Sequence, residues 1–364
     1  MSPHDVLHFT DSESFGGAEQ ALLLLIEHLD PERFRSSLLV PDGRAPDELV
    51  ERARELGADV QVAPPMPLGL HGAARVPALA RQLRRGRPAV FHAHLSWPLA
   101  AKFPLAAAVA ARVPAVVASV QLVPSFTPTR PSYVQGRLLA AGIGQFIAVS
   151  RDVERRLVET FGWPPRKIVV IHNGTRLEPR PMPREAREGE PIVLTVARLV
   201  EQKGLGVLLD AAAHVPARFV VVGDGPERAG LVEHATAAGI ADRVSFLGHR
   251  TDVRDLLDAA DVFVLPSLYE GTPLAVLEAM AAGKAIVATA IAGTDELVAD
   301  GESALLVPPR DAGALAGAIR RLLDDPALRA RLGETARRQA EAEFGAGAVA
   351  RRVAALYERL LARR

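Results

Sequence analysis

The chain has 364 residues, and its 43 Lys and Arg residues balance its 43 Asp and Glu residues, so its formal net charge is zero. This balance argues against a nucleic-acid-binding protein, because such proteins carry an excess of basic residues. The absence of cysteine excludes disulfides, thiol nucleophiles and Cys-ligated zinc. With no signal peptide and no apolar run of membrane-spanning length in view, we expect a cytoplasmic protein.

Apolar segments of strand length alternate with helical stretches along the whole chain. The segments predicted as strands are residues 6–9, 36–40, 60–62, 89–92, 115–118, 145–149, 168–171, 191–196, 219–222, 244–246, 261–265 and 285–288. This alternation predicts an α/β fold of parallel sheets covered by helices, and the number of segments predicts two sheets.

A Pro-rich, charged segment at residues 177–190 separates the two series of strands and is predicted to be a domain linker. We therefore expect an N-terminal domain over residues 1–176 and a C-terminal domain over 191–345. A final helix is predicted over 346–364. The hydrophobic content of 49% is enough for two sizeable cores.

Glycines follow two of the predicted strands, where ligands bind in open parallel sheets. Gly16 and Gly17 open the first helix, and Gly223 and Gly225 form a turn after the strand at 219–222. Lacking side chains, these residues would let backbone amides approach a phosphate, although plain turns explain glycine pairs equally well.

Two cations lie five residues apart after the strand at 191–196. Arg198 offers a planar fork for phosphate oxygens and Lys203 a mobile point charge. The alternative is a pair of solvated surface cations. The later turn 293–296 matches a recurring loop only loosely and is assigned no definite role.

Two carboxylates, Glu270 and Glu278, straddle a predicted helix start after the strand at 261–265. Thr272 is predicted as the N-cap and Pro273 as the first helical residue, with the helix running to Gly283. Unpaired amides at a helix start favour a phosphate, and acids suit hydroxyl groups, so the segment suggests a nucleotide-sugar. For either acid taken alone, a solvated charge is the favoured interpretation.

The segment from Glu270 onward resembles the Glu-x7-Glu signature of retaining glycosyltransferases of family 4. Further landmarks of that family occur in order at residues 16–17, 92–94, 148–150, 172–174, 198–204, 223–226 and 246–248. The resemblance implies the GT-B fold, in which two Rossmann-like domains face a central cleft. It also implies that the first domain holds the acceptor, the second holds the nucleotide-sugar, and the final helix packs back on the first.

The same resemblance implies a role for each matching residue. Arg198 and Lys203 would grip the diphosphate, Glu270 the hydroxyls of the donor sugar and Glu278 the ribose. The donor site would be completed by Gly16, Gly17, Gly223, Gly225, Thr272, Pro273 and Leu274, with His249 and Arg250 bordering the base. His94 would contact the donor sugar or the reacting centre, whereas local pattern alone leaves it equally explained as a structural histidine.

The sequence contains no Asp-x-Asp pair and no His-Glu-x-x-His motif, so we expect neither a metal nor a cofactor beyond the donor. A UDP-sugar is favoured over a GDP-sugar, with a glycan, lipid-linked or small-molecule acceptor. The Pro-rich loop 121–131 is predicted to shape the acceptor site. Arg81, Arg84, Arg85 and Arg87 form a basic cluster that would suit anionic lipid, but the sequence favours a solvated helix end, because membrane binding also needs an apolar face turned outward.

Two other functions remain open on the sequence. The first is a sugar-nucleotide epimerase or hydrolase of the same fold. The second is a catalytically silent nucleotide-sugar binding protein, although such a protein has no need of Arg198, Lys203 and Glu270 together.

Overall fold

The computed structural model describes residues 2–43, 45–64, 70–123, 129–178 and 189–363. The chain divides into two compact units: Met1–Gly174 together with Ala346–Arg364, and Thr175–Gly345. Residues 124–128 of the predicted acceptor-side loop and 179–188 of the predicted linker lie outside the described residues. No helix in the described part of the chain is long and apolar enough to cross a membrane.

The helices follow one another between the strands in both units. In chain order they are α1 (Gly17–His28), α2 (Asp47–Glu55), α3 (Leu70–Gly86), α4 (Lys102–Ala111), α5 (Arg130–Gly142), α6 (Arg151–Phe161), α7 (Leu205–Ala212), α8 (Arg228–Ala237), α9 (Val253–Ala259), α10 (Leu274–Ala281), α11 (Ala312–Asp324), α12 (Pro326–Gln339) and α13 (Ala346–Leu361).

The first unit is built on a parallel sheet of seven strands, in the order β3-β2-β1-β4-β5-β6-β7. The strands are β1 (His4–Thr10), β2 (Phe34–Pro41), β3 (Asp59–Ala63), β4 (Val90–Leu95), β5 (Ala115–Val120), β6 (Gln145–Ala148) and β7 (Ile168–Val170). Consecutive side chains of a strand point to opposite faces. Phe91 and Ala93 of β4 therefore pack under α3 to α6, while Val90 packs against α1 and α13.

The second unit is built on a parallel sheet of six strands, in the order β10-β9-β8-β11-β12-β13. The strands are β8 (Ile192–Val196), β9 (Arg218–Val222), β10 (Val244–Gly248), β11 (Val262–Leu265), β12 (Ala285–Thr289) and β13 (Leu305–Val307). The predicted α/β class with two parallel sheets is confirmed, and every segment predicted as a strand overlaps an observed strand. β13 was missed, because three apolar residues do not stand out in a sequence rich in such residues.

The start of α10 differs from the prediction. The N-cap position is occupied by Pro273, with φ −69° and ψ 108°, and no side chain caps the helix. Its carbonyl accepts hydrogen bonds from the amides of Val276 and Leu277, at 3.1 and 3.3 Å. Thr272 is therefore not the N-cap, and Leu274 rather than Pro273 is the first helical residue. An extended ψ at Pro273 shifts the helix start by one residue.

Candidate functional site

The strand order of the second unit places its site. The chain leaves β8 toward β9 on one side of the sheet and returns to β11 on the other, so the loops after β8 and β11 diverge at this point. Ligands bind at such switch points, beyond the carboxyl ends of the strands. The predicted residues Arg198, Lys203 and Glu270 all lie in loops at this edge.

Two glycines let the loop after β9 cross the loop after β8. Gly223 has φ 120°, and a Cβ atom on it would lie 2.0 Å from the carbonyl oxygen of Ala197. A Cβ atom on Gly225 would lie 2.4 Å from the carbonyl oxygen of Leu199, whose amide donates to Asp224 at 2.9 Å. The glycines are required for this backbone contact, whether or not they also approach a phosphate.

The turn that carries Lys203 is fixed on the loop after β11. Gly204 has φ 61°, and a Cβ atom there would lie 2.3 Å from the carbonyl oxygen of Pro266. The backbone amide of Leu268 donates to the carbonyl of Gln202 at 2.8 Å, and the Gln202 side chain donates to the carbonyl of Tyr269 at 2.9 Å. These contacts bring two segments that are distant in sequence to the same place.

Lys203 and Glu270 form an ion pair at the centre of the site. The Lys203 Nζ atom donates to Glu270 Oε1 at 2.5 Å, and the Ser267 hydroxyl donates to the same oxygen at 2.7 Å. Thr289 in turn donates to the Ser267 carbonyl at 2.5 Å. Glu270 is only 8% exposed, so the pair is largely withdrawn from water. Ser267 and Thr289 were not predicted as part of the site.

Arg198 differs from Lys203 in its surroundings. Its side chain is exposed, and within the described part of the chain it forms no hydrogen bond or ion pair. Lys203 is therefore neutralised by Glu270, whereas the guanidinium of Arg198, in a neighbouring loop, is available to a ligand. An unpaired guanidinium is suited to an external phosphate or carboxylate.

The loop after β12 approaches Glu270 from another side. Gly293 has φ 90°, and a Cβ atom on it would lie 2.3 Å from the carbonyl oxygen of Gly271. The next residue, Thr294, is buried, and its hydroxyl has no hydrogen-bond partner among the described residues. A buried unpaired hydroxyl is uncommon in folded proteins and often marks a functional position. Sequence reasoning noticed this turn but assigned it no definite role.

The other predicted donor-site residues are in varied environments. Thr272 and Leu274 are buried at the start of α10, and Glu278 is half-buried further along it. His249 is exposed. Arg250 is also exposed, but its guanidinium donates to both carboxylate oxygens of Asp252, at 2.7 and 2.5 Å. The pairing raises the pKa of Arg250 and lowers that of Asp252.

In the first unit, the predicted glycines stand at the start of α1. Gly16 is the N-cap residue, with extended backbone at φ −162°, and Gly17 is the first residue of the helix. No side chain caps this helix end. Backbone amides at a helix start without a side-chain cap are suited to an anion, and the predicted phosphate contact of Gly17 stays a prediction.

Two other buried histidines, His8 and His92, lie beside the predicted residue His94. His8 lies opposite His92 across β1 and β4, and the Nδ1 atom of His8 lies 3.2 Å from the Nε2 atom of His94. His92 is held at both nitrogens, by the hydroxyls of Tyr357 at 2.6 Å and Ser119 at 2.7 Å. His8, Ser119 and Tyr357 were not predicted as neighbours of His94.

The histidine cluster is uncharged at neutral pH. Burial lowers the pKa of His8 to about 3. Burial and then the neighbouring rings, which oppose a second positive charge, lower the pKa of both His92 and His94 well below the usual value. Neutral rings cannot form ion pairs, so His94 acts as a hydrogen-bonding group and not as a cation.

The three histidines are close enough together to be considered as metal ligands. One ligand atom from each of His8, His92 and His94 lies within 4.8 Å of the others. However, His92 uses both nitrogens in hydrogen bonds, and its ring lies against that of His94 with centroids 4.2 Å apart and planes inclined by 34°. Nearly stacked rings direct their lone pairs side by side rather than toward one point. The arrangement fits a hydrogen-bonded cluster better than a metal centre, and the predicted absence of a metal stays a prediction.

A small cavity of about 40 Å³ adjoins the cluster in the first unit. Its polar lining comes from His92, His94, Ser119, Gln121, His172 and Asn173, and its apolar lining comes from α1, α13 and residues in or next to strands β6 and β7. The Asn173 side chain donates to Gln121 at 2.9 Å. With these polar groups in its wall, a space of this size is large enough for one water molecule.

Both halves of the chain match known protein families. Residues 15–179 match the family described as Glycosyltransferase Family 4, and residues 181–339 match the family described as Glycosyl transferases group 1. Among curated relatives, the alpha-D-kanosaminyltransferase of Streptomyces kanamyceticus is 34% identical over 184 residues, which are 49% of this chain and 48% of that protein. The lipopolysaccharide core biosynthesis glycosyltransferase LpsD of Rhizobium meliloti is 34% identical over 60% of this chain and 64% of its own. The matches thus span about half to two thirds of these relatives.

Solved structures resemble the whole chain. HepE of Anabaena in complex with UDP and glucose has a TM-score of 0.82 at 22% identity, covering 98% of this chain and 99% of its own. Sucrose-phosphate synthase of Thermosynechococcus elongatus has a TM-score of 0.78 at 23% identity, covering 99% and 100%. At such identities the likeness concerns the fold.

Proposed function

Because the chain belongs to the group 1, family 4 glycosyltransferases, we propose that it transfers a hexosyl group from a nucleoside-diphosphate sugar to an acceptor hydroxyl. Its two Rossmann-like α/β units have the GT-B fold. UDP is present in the HepE structures, which supports our proposal of a UDP-sugar as the donor. The proposed acceptor is a glycan, a lipid-linked sugar or a small molecule.

One observation carries this proposal: the buried ion pair of Lys203 and Glu270 at the switch point of the second sheet. A buried charge pair costs desolvation free energy, and replacing such pairs by apolar residues is often neutral or stabilising. The fold nevertheless fixes both partners through Gly204, Gln202 and Ser267. The desolvation cost of the pair is explained if the site binds a ligand that carries both charge and hydroxyl groups.

The residues have distinct proposed roles. Arg198, which has no partner among the described residues, binds the diphosphate from outside, and Lys203 binds it from within. Glu270 then exchanges Lys203 for hydroxyls of the donor sugar, since a carboxylate accepts hydrogen bonds through both oxygens. Glu278 is proposed to bind the ribose, and His94 to contact the donor sugar as a neutral hydrogen-bonding group.

The chemistry follows from where charge develops. The bond between the anomeric carbon and the diphosphate breaks, and its electron pair remains on the phosphate oxygen. The acceptor oxygen bonds to the same carbon with retained configuration, and its proton leaves with the diphosphate. Cations fixed beside the leaving oxygen stabilise this transition state without further reorganisation.

The proposed site supplies its own positive charge. Side-chain cations perform the neutralisation that a magnesium ion performs in other phosphate sites, so transfer is proposed to be independent of metal. An excess of chelator should then leave the rate unchanged, and abolition of activity would contradict metal independence.

We also propose a cytoplasmic location, which fits the cysteine-free composition.

The experiment is a ligand screen followed by product analysis. UDP, GDP and their common sugars are first compared by thermal shift, because a ligand that binds only the folded protein raises its melting temperature. UDP-sugars that stabilise the protein are then incubated with and without sugar and lipid-linked acceptors, and the products are separated. We expect stabilisation by UDP and acceptor-dependent release of UDP together with a glycosylated product.

Other outcomes identify the alternatives. Equal UDP release without any acceptor would indicate a hydrolase, and a nucleotide-sugar with an altered sugar would indicate an epimerase. Binding without turnover across the acceptor set, or no binding of any nucleotide, would contradict the proposed transfer.

A further inference from the structure

One long stretch of the sequence contains no acidic residue. Neither Asp nor Glu occurs between Asp59 and Asp152, although acidic and basic residues balance over the chain as a whole. The basic residues in or adjoining this stretch are Arg75, Arg81, Arg84, Arg85, Arg87, Lys102, Arg112, Arg130, Arg137 and Arg151. The neutral total therefore conceals a strongly uneven distribution of charge.

The fold collects this stretch on one face of the first unit. Helices α3, α4 and α5 come from it and pack beside one another over the same side of the sheet. The opposite side is covered by α1, α2 and α13, which carry acidic residues such as Glu27, Glu48 and Glu358. We name the outer surface of α3, α4 and α5 the basic face.

The exposed cations of the basic face have no carboxylate partners among the described residues. Arg75, Arg85 and Arg137 are exposed and form no hydrogen bond or ion pair within the described ranges. Arg84 donates only to the carbonyl of Ala110, at 2.9 Å, and Lys102 only to the amide oxygen of Gln135, at 3.3 Å. Helix ends explain part of this, since cations are favourable there. They do not explain the absence of every acid across three helices.

Apolar side chains are exposed among these cations. On α5, Leu138 is 71% exposed and Val134 is 54% exposed. They lie four residues apart, and therefore on the same side of the helix, with Arg137 beside them. An exposed aliphatic pair beside a cation, on a surface without acidic residues, matches an interfacial surface, in which apolar groups enter the acyl boundary and basic groups meet lipid phosphates.

We propose that the basic face binds the surface of an anionic phospholipid membrane. Nucleic acid is the competing anionic partner, but exposed Leu and Val side chains gain nothing from a phosphate backbone, whereas a bilayer receives them. This proposal does not depend on the donor or on catalysis. It requires only the charge and exposure of α3, α4 and α5.

The test is sedimentation of the full chain with vesicles, one set of phosphatidylcholine alone and one containing a quarter of phosphatidylglycerol. We expect binding to the anionic set only, weakening as salt shortens the range of the electrostatic attraction. The triple variant Arg75→Glu, Arg85→Glu, Arg137→Glu should bind about a hundredfold more weakly, since each basic residue near such a surface contributes about a factor of five.

The control places the same charge changes on the opposite side of the sheet. Arg351, Arg352 and Arg359 are exposed on α13, and their replacement by Glu should leave vesicle binding nearly unchanged. A second variant, Val134→Ser with Leu138→Ser, keeps every charge and should reduce the binding that survives at high salt. Circular dichroism and melting curves check that each variant is folded.

Three results would overturn the proposal. The first is no sedimentation with anionic vesicles, and the second is an equal loss in the α13 control, which would show an effect of net charge only. The third is tight binding of a single-stranded RNA homopolymer with no binding to vesicles, which would identify the basic face as a nucleic-acid surface.

Discussion

Both units place polar side chains at or beyond the ends of their strands, but these side chains are charged in the second unit and neutral in the first. In the second unit, Lys203 and Glu270 are kept charged and paired, with Arg198 exposed nearby. In the first, His8, His92 and His94 are buried and neutral, and are satisfied by hydrogen bonds. A site with cations can stabilise the negative charge that develops on a leaving diphosphate, whereas a neutral site can only orient hydroxyl groups. We therefore propose that the phosphate chemistry takes place in the second unit.

The largest effect should come from removing the cation of the buried pair. Lys203→Ala is expected to lower the transfer rate by about two to three powers of ten, the scale of losing one preorganised donor to a transition state. Added magnesium should not restore it. Lys284→Ala removes the same charge and is the matched control, because the Lys284 ammonium donates to the carbonyls of Asp258 and Ala260, which precede β11, whereas Glu270 follows it.

An equal loss in the two lysine variants would show that unit stability, and not the site, determines the rate. The measurement is the steady-state rate at saturating donor, with thermal melting of both variants. A tolerant Lys203 variant together with loss of activity in chelator would reverse the assignment in favour of a metal.

The second prediction concerns the histidine cluster and the pH dependence of the stability of the first unit. The pKa of His8 is lowered in the folded state to about 3 from its ordinary value near 6.5, so the unfolded state binds more protons between these values. Its contribution to stability is complete above pH 6.5 and is lost as the pH falls toward 3. At pH 5 the loss from His8 amounts to about 2 kcal/mol, and His92 and His94 act in the same direction.

Both tryptophans, Trp97 and Trp163, belong to the first unit, so their fluorescence reports its unfolding in denaturant. We expect His8→Gln to reduce the stability difference between pH 7 and pH 5 by about 2 kcal/mol. The exposed His4, on the same strand, provides the control His4→Gln. An unchanged pH dependence in His8→Gln would mean that this ring does not stay neutral in the folded protein.

The smallest of the three effects should come from Glu270→Gln, which keeps the shape of the side chain and removes its charge. The amide still accepts a hydrogen bond through one oxygen, so donor binding should change little while transfer falls by about tenfold or more. Glu201→Gln, an exposed acid in the Lys203 turn, is the control. Near wild-type turnover in Glu270→Gln, or a parallel loss of donor binding, would remove Glu270 from the mechanism.

The elements of the fold were readable because apolar runs of strand length recur between helical stretches, and only β13 is too short to be seen. Contacts between residues that are distant in the sequence could not be predicted. Lys203 and Glu270 are 67 residues apart, and His92 and Tyr357 are 265 apart, so only the folded backbone brings them together. The approach of His8 to His92 required the strand order, in which β1 lies beside β4.

The start of α10 shows a different limit. Thr-Pro is a good sequence signal for an N-cap and a first helical residue, but the signal does not fix ψ at the proline. The structure places that angle in the extended region and moves the start to Leu274. The glycines show a third limit: Gly223 and Gly225 were predicted for a phosphate, whereas their first constraint is the carbonyl oxygens of Ala197 and Leu199.

The assignment of phosphate chemistry to Lys203 is tested most directly by comparing UDP with UMP. Calorimetry would give the binding constants of both nucleotides for the unaltered protein and for Lys203→Ala. If Lys203 binds the diphosphate, the preference for UDP over UMP should fall by about tenfold or more in the variant, since charge-assisted hydrogen bonds contribute about 1.5–3 kcal/mol. An unchanged preference, with both nucleotides bound as before or weakened equally, would contradict this account of the site.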